Sequence, residues 1–96
     1  MIYLTVVNKG KIANSLLSKG FREDRKKDHR VFRLFVNGRR TRVITKISHG
    51  AREYDDHLLN LMAREMYLSK DELIKFIYCE IDYAEYFKIL KEKAIL

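Results

Sequence analysis

The sequence predicts an α+β domain with helices on one face of an antiparallel sheet, and three observations carry that expectation. Between His29 and Ile47 the apolar residues alternate with period two, broken only at Asn37-Gly38. After Ser48-His49-Gly50 the period changes to near 3.6. Two capping signatures then open further helices before the end of the sequence.

Taken in order, Ile2 to Val7 is an apolar run that reads equally as a strand or as a lead-in. Ile12, Leu16 and Leu17 fall at helical spacing beside Ala13, with Asn8 as the expected N-cap and Gly20 at the place of a C-capping glycine. Phe21 to Lys27 is a charged edge strand, its lysines discouraging stray pairing. His29 to Val36 is a stronger strand, with Phe32, Leu34 and Val36 on one face and His29, Val31, Arg33 and Phe35 on the other. Asn37-Gly38 tolerates positive φ at both positions and is the commonest two-residue hairpin turn. Arg39 to Ile47 returns as the partner strand, Val43, Thr45 and Ile47 sharing one face, Arg42, Ile44 and Lys46 the other.

Asp55 and Asp56 suit a helix N-terminus, where carboxylates meet the positive end of the dipole. Leu58, Leu59, Met62 and Met66 form the stripe of that helix, expected to end near Leu68. Ser69-Lys70-Asp71-Glu72 is a capping box for a helix with Leu73, Ile74 and Ile77 inward. Asp82 begins a last one bearing Tyr86, Phe87 and Leu90. The expected order is α-β-β-β-α plus two short helices. With 96 residues, no proline and no linker-like tract, residues 1–96 are expected to form one domain, with a core over 8–68 and a helical extension over 69–96.

No apolar run approaches the ~20 residues of a membrane span, and the start lacks the charged region and cleavage site of a secretory signal. An intracellular, cytoplasmic location is expected. The single cysteine, Cys79, rules out an intrachain disulfide and a multi-cysteine zinc site, and reads as a buried, inert thiol. The three histidines lack metal-ligand spacing, and neither a phosphate-binding loop nor a dinucleotide fingerprint is present, so no metal and no cofactor is expected.

Charge is the strongest functional signal. Between Arg22 and Arg52 stand eleven basic residues; less the acids Glu23, Asp24 and Asp28, that leaves +8, against +7 for the whole chain. A surplus confined to one third of the sequence is the footprint of a polyanion binder. The expected contacts are Arg30, Arg33, Arg40, Arg42, Lys46 and His49, with Phe35 open between stacking on a base and packing under the first strand. Histidine as a residue type exchanges protons near neutrality, so His29, between Asp28 and Arg30, suits a base that takes a proton from a ribose 2′-hydroxyl. By composition alone such a histidine is more often structural, and His57 reads as a surface or structural residue.

Gly20-Phe21, Asp28-His29, Asn37-Gly38-Arg39, Thr45-Lys46-Ile47-Ser48-His49-Gly50, Tyr54-Asp55 and Leu58-Leu59, in this order, resemble the HicA-like (YcfA-like) toxins of bacterial and archaeal toxin–antitoxin systems. The likeness runs from about Ile12 to Leu68. It implies a double-stranded-RNA-binding-like α-β-β-β-α fold and a metal-independent mRNA interferase, an endoribonuclease whose catalytic histidine is His29. It also implies a HicB-like antitoxin covering the active site. His49 matches the family's second histidine. Two features depart from the pattern. Lys27-Asp28 stands where the family has glycine and serine, and Ser69 to Leu96 extends past the family's usual end, completing the core or offering a surface to a partner. The rival expectation is a non-catalytic nucleic-acid-binding module of the same fold; a third is a protein-interaction domain for an acidic partner.

Overall fold

The structure, a computed structural model, describes residues 6–26, 28–50 and 52–96. Ile2 to Thr5 of the apolar opening, with Lys27 and Ala51, lie outside the described residues. The elements run β1 (Val7–Asn8), α1 (Lys9–Ser18), β2 (Phe21–Arg25), β3 (His29–Val36), β4 (Arg39–Ser48), β5 (Glu53–Tyr54), α2 (Asp56–Glu65), α3 (Lys70–Ile77) and α4 (Tyr83–Glu92). Strands β2, β3 and β4 form an antiparallel sheet in that order, and β1 pairs separately with β5, Val7 opposite Tyr54. The architecture is α+β, one three-stranded antiparallel sheet with four helices.

Local chemistry explains most boundaries. Asn8 caps α1 by accepting from the Gly10 amide, Asp55 accepts from Leu58 on α2, and Asp82 accepts from Glu85 on α4. Ser69 and Glu72 complete a reciprocal capping box on α3. Asn37 and Gly38, both at positive φ (53° and 77°), turn β3 into β4 as a type I′ hairpin. Gly20 has φ +91°, and a Cβ there would meet the Tyr83 ring at 2.8 Å and Leu34 at 3.2 Å, so a side chain would push α4 off the sheet.

Helix α2 ends at Glu65, three residues before the expected Leu68. Tyr67 adopts the left-handed conformation (φ 61°), and the Leu68 amide reaches back to the Ala63 carbonyl at 2.8 Å in a Schellman closure. The same closure recurs after α3, with Cys79 at φ 66° and Glu80 bonded to Lys75, and after α4, with Ala94 at φ 58° and Ile95 bonded to Leu90. This corrects the reading of Cys79 as a buried thiol. It is exposed, because it is the left-handed residue that leaves α3 rather than a member of the helix's inner stripe.

The core lies between the sheet and the helices. Phe21, Phe32, Leu34, Val43 and Ile47 point into it, and Leu16, Leu59, Met62, Leu73 and Tyr86 meet them from the helices, all in one continuous cluster. The extension completes this core. Phe21 of β2, Phe76 of α3 and Tyr86 of α4 make a three-ring cluster with centroids 5.1–6.3 Å apart. The expected inward set of α3 was Leu73, Ile74 and Ile77; Ile74 is only half-buried and Phe76 takes the central place. The polar groups within this layer are paired. Tyr86 Oη donates to the Met66 carbonyl at 2.9 Å, and Ser15 Oγ donates to the Ile77 carbonyl at 2.7 Å. Buried Lys19 donates to the Phe76 carbonyl at the negative end of α3 and lies 4.5 Å from the Phe76 ring centroid. No helix among the described residues is long and apolar enough to cross a membrane.

Candidate nucleic-acid interface

Because all four helices gather on one side, the pleat sends alternate residues of β2, β3 and β4 to an uncovered face. Register orders them into rungs. Phe35 lies opposite Arg40; Arg22 lies opposite Arg33, which lies opposite Ile44; Asp24 lies opposite Val31, which lies opposite Lys46; and His29 lies opposite Ser48. Two arginines directly across an antiparallel pair repel each other, so the Arg22–Arg33 rung is a costly arrangement for a free protein. Each has a local partner: Arg22 places its guanidinium 4.1 Å from the Phe35 ring centroid, and Arg33 Nη1 donates to the Thr41 carbonyl at 3.0 Å.

These rungs enclose a hollow of about 430 Å³ whose walls include Arg22, Lys26, Arg33, Arg40, Phe35 and Ile44. Its rim at β2 carries Glu23 and Asp24, the latter paired with Lys26 at 3.0 Å. Of the residues expected to contact RNA, Arg33 and Arg40 meet here. Phe35 faces the open side, with Arg22 rather than a strand over its ring. Lys46 is exposed one rung along and lines a smaller neighbouring hollow of about 260 Å³ with Val31, Ile44, Thr45 and Glu65.

Two other expected contacts are drawn away. Arg30 shares the face of Phe32, not that of Arg33. Its Nε and Nη2 donate to the two Glu23 carboxylate oxygens at 2.7 and 2.8 Å, and its guanidinium lies 5.4 Å from the Phe32 ring centroid. This bidentate pair holds the Glu23 carboxyl below its ordinary range, with lesser help from the charges of Arg25 and His49 against a desolvation cost. Arg42 sits where the β3–β4 register shifts between Arg33 and Phe35, a bulge that re-aims side chains. Its Nη2 donates to the Ala94 carbonyl at 3.3 Å, beyond the C-terminal end of α4.

The histidines occupy the other end of the sheet. His29 is half-buried at the first position of β3, where its carbonyl accepts from the Lys26 amide at 2.8 Å. His49 follows Ser48, the partner of His29, and its Nε2 lies 3.1 Å from the Lys26 carbonyl. A carbonyl only accepts, so this nitrogen carries the proton and Nδ1 is left as the second ring nitrogen. Lys26 thus joins both histidines through its backbone, its amide to the His29 carbonyl and its carbonyl to His49, and of these three residues Lys26 alone lines the hollow. His57 is exposed on α2. Among the described residues no group of three or more His, Cys, Asp or Glu side chains is placed to hold a metal ion.

Sequence reasoning passed over Arg22, Lys26 and Asp24 as members of the site. The signal for Arg22 lay in the parity of β2: if Phe21 is core, Arg22 faces outward beside Arg33. Fold and site together define a small α+β protein with one basic, uncovered sheet face. No protein-family model matches the chain, and no curated protein or solved structure matches it.

Proposed function

We propose that the protein is an RNA-binding, metal-independent endoribonuclease of the HicA-like toxin kind, with His29 as its base and cytoplasmic mRNA as its substrate. The observation that carries this reading is the collection of Arg22, Arg33, Arg40 and Lys26 around one hollow of the uncovered sheet face. Cations in that number neutralise successive phosphates, and an open sheet face admits an extended strand. The element order α1-β2-β3-β4-α2 supports the double-stranded-RNA-binding-like topology that accompanies such toxins.

The chemistry asks little of the protein beyond position. His29 takes the proton of a ribose 2′-hydroxyl; the oxygen attacks the adjacent phosphorus, the bond to the 5′-oxygen breaks, and the protonated imidazole or water returns a proton to it. Arginines beside the phosphate stabilise the charge that gathers on its oxygens. A HicB-like antitoxin, presenting acids to the same cations, is the expected protein partner.

Cleavage of an mRNA by purified protein, compared with His29→Ala, tests this reading. The variant is expected to lose about 10²- to 10⁴-fold in rate while still binding. Equal cleavage by both proteins, or none by either, would overturn the catalytic claim. A second reading, a non-catalytic RNA-binding module of the same fold, is favoured by the position of His29 outside the hollow that gathers the cations. Binding without cutting by both proteins would select it.

A further inference from the structure

We infer that the hollow on the open sheet face is built for single-stranded RNA, with one base stacked on the Arg22–Phe35 pair and the phosphates on either side held by Arg33 and Arg40. This rests on the reading of the protein as RNA-binding and goes further by naming the form of RNA and the subsite.

The first argument is the pairing of ring and guanidinium. The Arg22 guanidinium lies 4.1 Å from the Phe35 ring centroid. The outer surface of a stacked guanidinium is planar and cationic, so it offers a base a platform while its edge N–H groups remain free to donate to phosphate. Such platforms suit bases that are already unstacked from a partner strand.

The second argument is the distribution of charge. Arg22, Arg33 and Arg40 come from three different strands and converge on one hollow of about 430 Å³. A duplex presents its phosphates along two ridges separated by grooves, and its recognition calls for cations spread across a wide surface. Three guanidiniums around one concavity with an aromatic floor match one sugar–phosphate strand and a splayed base instead.

The third argument is the β2 edge. Asp24 is paired with Lys26 at 3.0 Å, and Glu23 shares the face of Phe32 in a bidentate bond with Arg30. The acids of this edge are thus engaged locally, and Arg33, Arg40 and exposed Lys46 carry the charge that directs a strand along β3 and β4.

Fluorescence anisotropy at fixed, low salt tests the inference with three probes: a short single-stranded RNA of mixed sequence, the same sequence as a blunt duplex, and an abasic phosphodiester oligomer of equal charge. The single strand is expected to bind at least tenfold tighter than the duplex and tighter than the abasic oligomer. Phe35→Leu is expected to weaken the single strand about tenfold with little effect on the abasic oligomer, while Phe35→Tyr, which keeps the ring, restores binding. Arg22→Lys, which keeps charge but not the plane, is expected to behave like Phe35→Leu. Circular dichroism and thermal melting of each variant report folding separately. Duplex binding equal to or tighter than single-strand binding, or equal losses on the single-stranded and abasic probes, would overturn this subsite and leave RNA binding standing. Failure of both RNA forms to bind would overturn the broader reading together with it.

Discussion

The two faces of the three-stranded sheet are made by the same strands, one residue apart, yet they have opposite designs. On the helix side Phe21, Phe32, Leu34, Val43 and Ile47 are sealed, and buried Thr45 Oγ1 donates to Glu65 at 2.7 Å. On the other side Arg22 faces Arg33 directly, with Arg40 on the next rung and only Val31, Phe35 and Ile44 as apolar members. Like charges across a ladder cost stability, so the open face is tolerated because the other face supplies the cohesion. The difference separates two environments along each strand: odd positions of β3 face the open side, and even positions hold the fold.

That separation is most sharply tested with the two phenylalanines of β3. Phe32 is fully buried at 0 % exposure, and Phe32→Ala is expected to cost about 3–5 kcal/mol in denaturant unfolding. Phe35→Ala, three residues along on the open face, is expected to cost under about 1.5 kcal/mol. Comparable losses at both sites would mean that the open face is part of the structural core.

Next in size is the response of RNA binding to salt. Each phosphate neutralised on a single strand contributes about 0.7 to the slope of log affinity against log salt, so Arg33→Gln with Arg40→Gln is expected to lower that slope by about 1.4. Arg42→Gln, whose guanidinium reaches Ala94 instead of the hollow, is expected to leave it nearly unchanged. An Arg42 effect as large as that of Arg33 would break the distinction between cations on the face and cations turned around its edge.

How much of this was legible follows from the scale on which each feature is encoded. The strands, the Asn37-Gly38 turn and the side-chain caps Asn8, Asp55, Ser69 and Asp82 are written in a few adjacent residues, and a local reading finds them. Helix ends were less legible. The left-handed positions that close α2, α3 and α4 are Tyr67, Cys79 and Ala94, where glycine would have announced them. After α2 and α4 the next residue, Leu68 or Ile95, packs on the core, whereas Cys79 is followed by exposed Glu80 and only then by buried Ile81; each left-handed position costs about 1–2 kcal/mol. Strands β1 and β5, two residues each, carry no periodicity to detect. Of the candidate contacts, Arg30 was legible in parity, since it stands two residues before Phe32 and must share its face. Its place among the candidate contacts was read from charge and not from the pleat. Arg42 was not legible, because the parity of β4 puts it outward and only the bulge and the end of α4 turn it aside.

The smallest expected effect concerns the Glu23–Arg30 pair, which places Arg30 on the structural side of the comparison. Both side chains are about one-fifth exposed (20 % and 18 %) and joined in a bidentate bond, so the pair is expected to contribute about 1 kcal/mol or less at neutral pH. The sign with pH follows from the direction of the shift. The Glu23 carboxyl lies below its ordinary value of 4.5 in the fold, chiefly through the Arg30 hydrogen bond. Below that ordinary value the unfolded chain binds the proton first, so this contribution is complete above it and is lost as pH falls through the lowered folded value. Thermal melts from pH 6 down to pH 3 are therefore expected to show a smaller acid loss in Glu23→Gln than in the parent chain. Arg30→Gln is expected to reproduce that flattening while changing RNA affinity less than threefold at pH 7. If Arg30→Gln weakens RNA binding as much as Arg33→Gln does, the guanidinium leaves Glu23 for the ligand, and the pleat does not divide binding from structure at this end of the sheet.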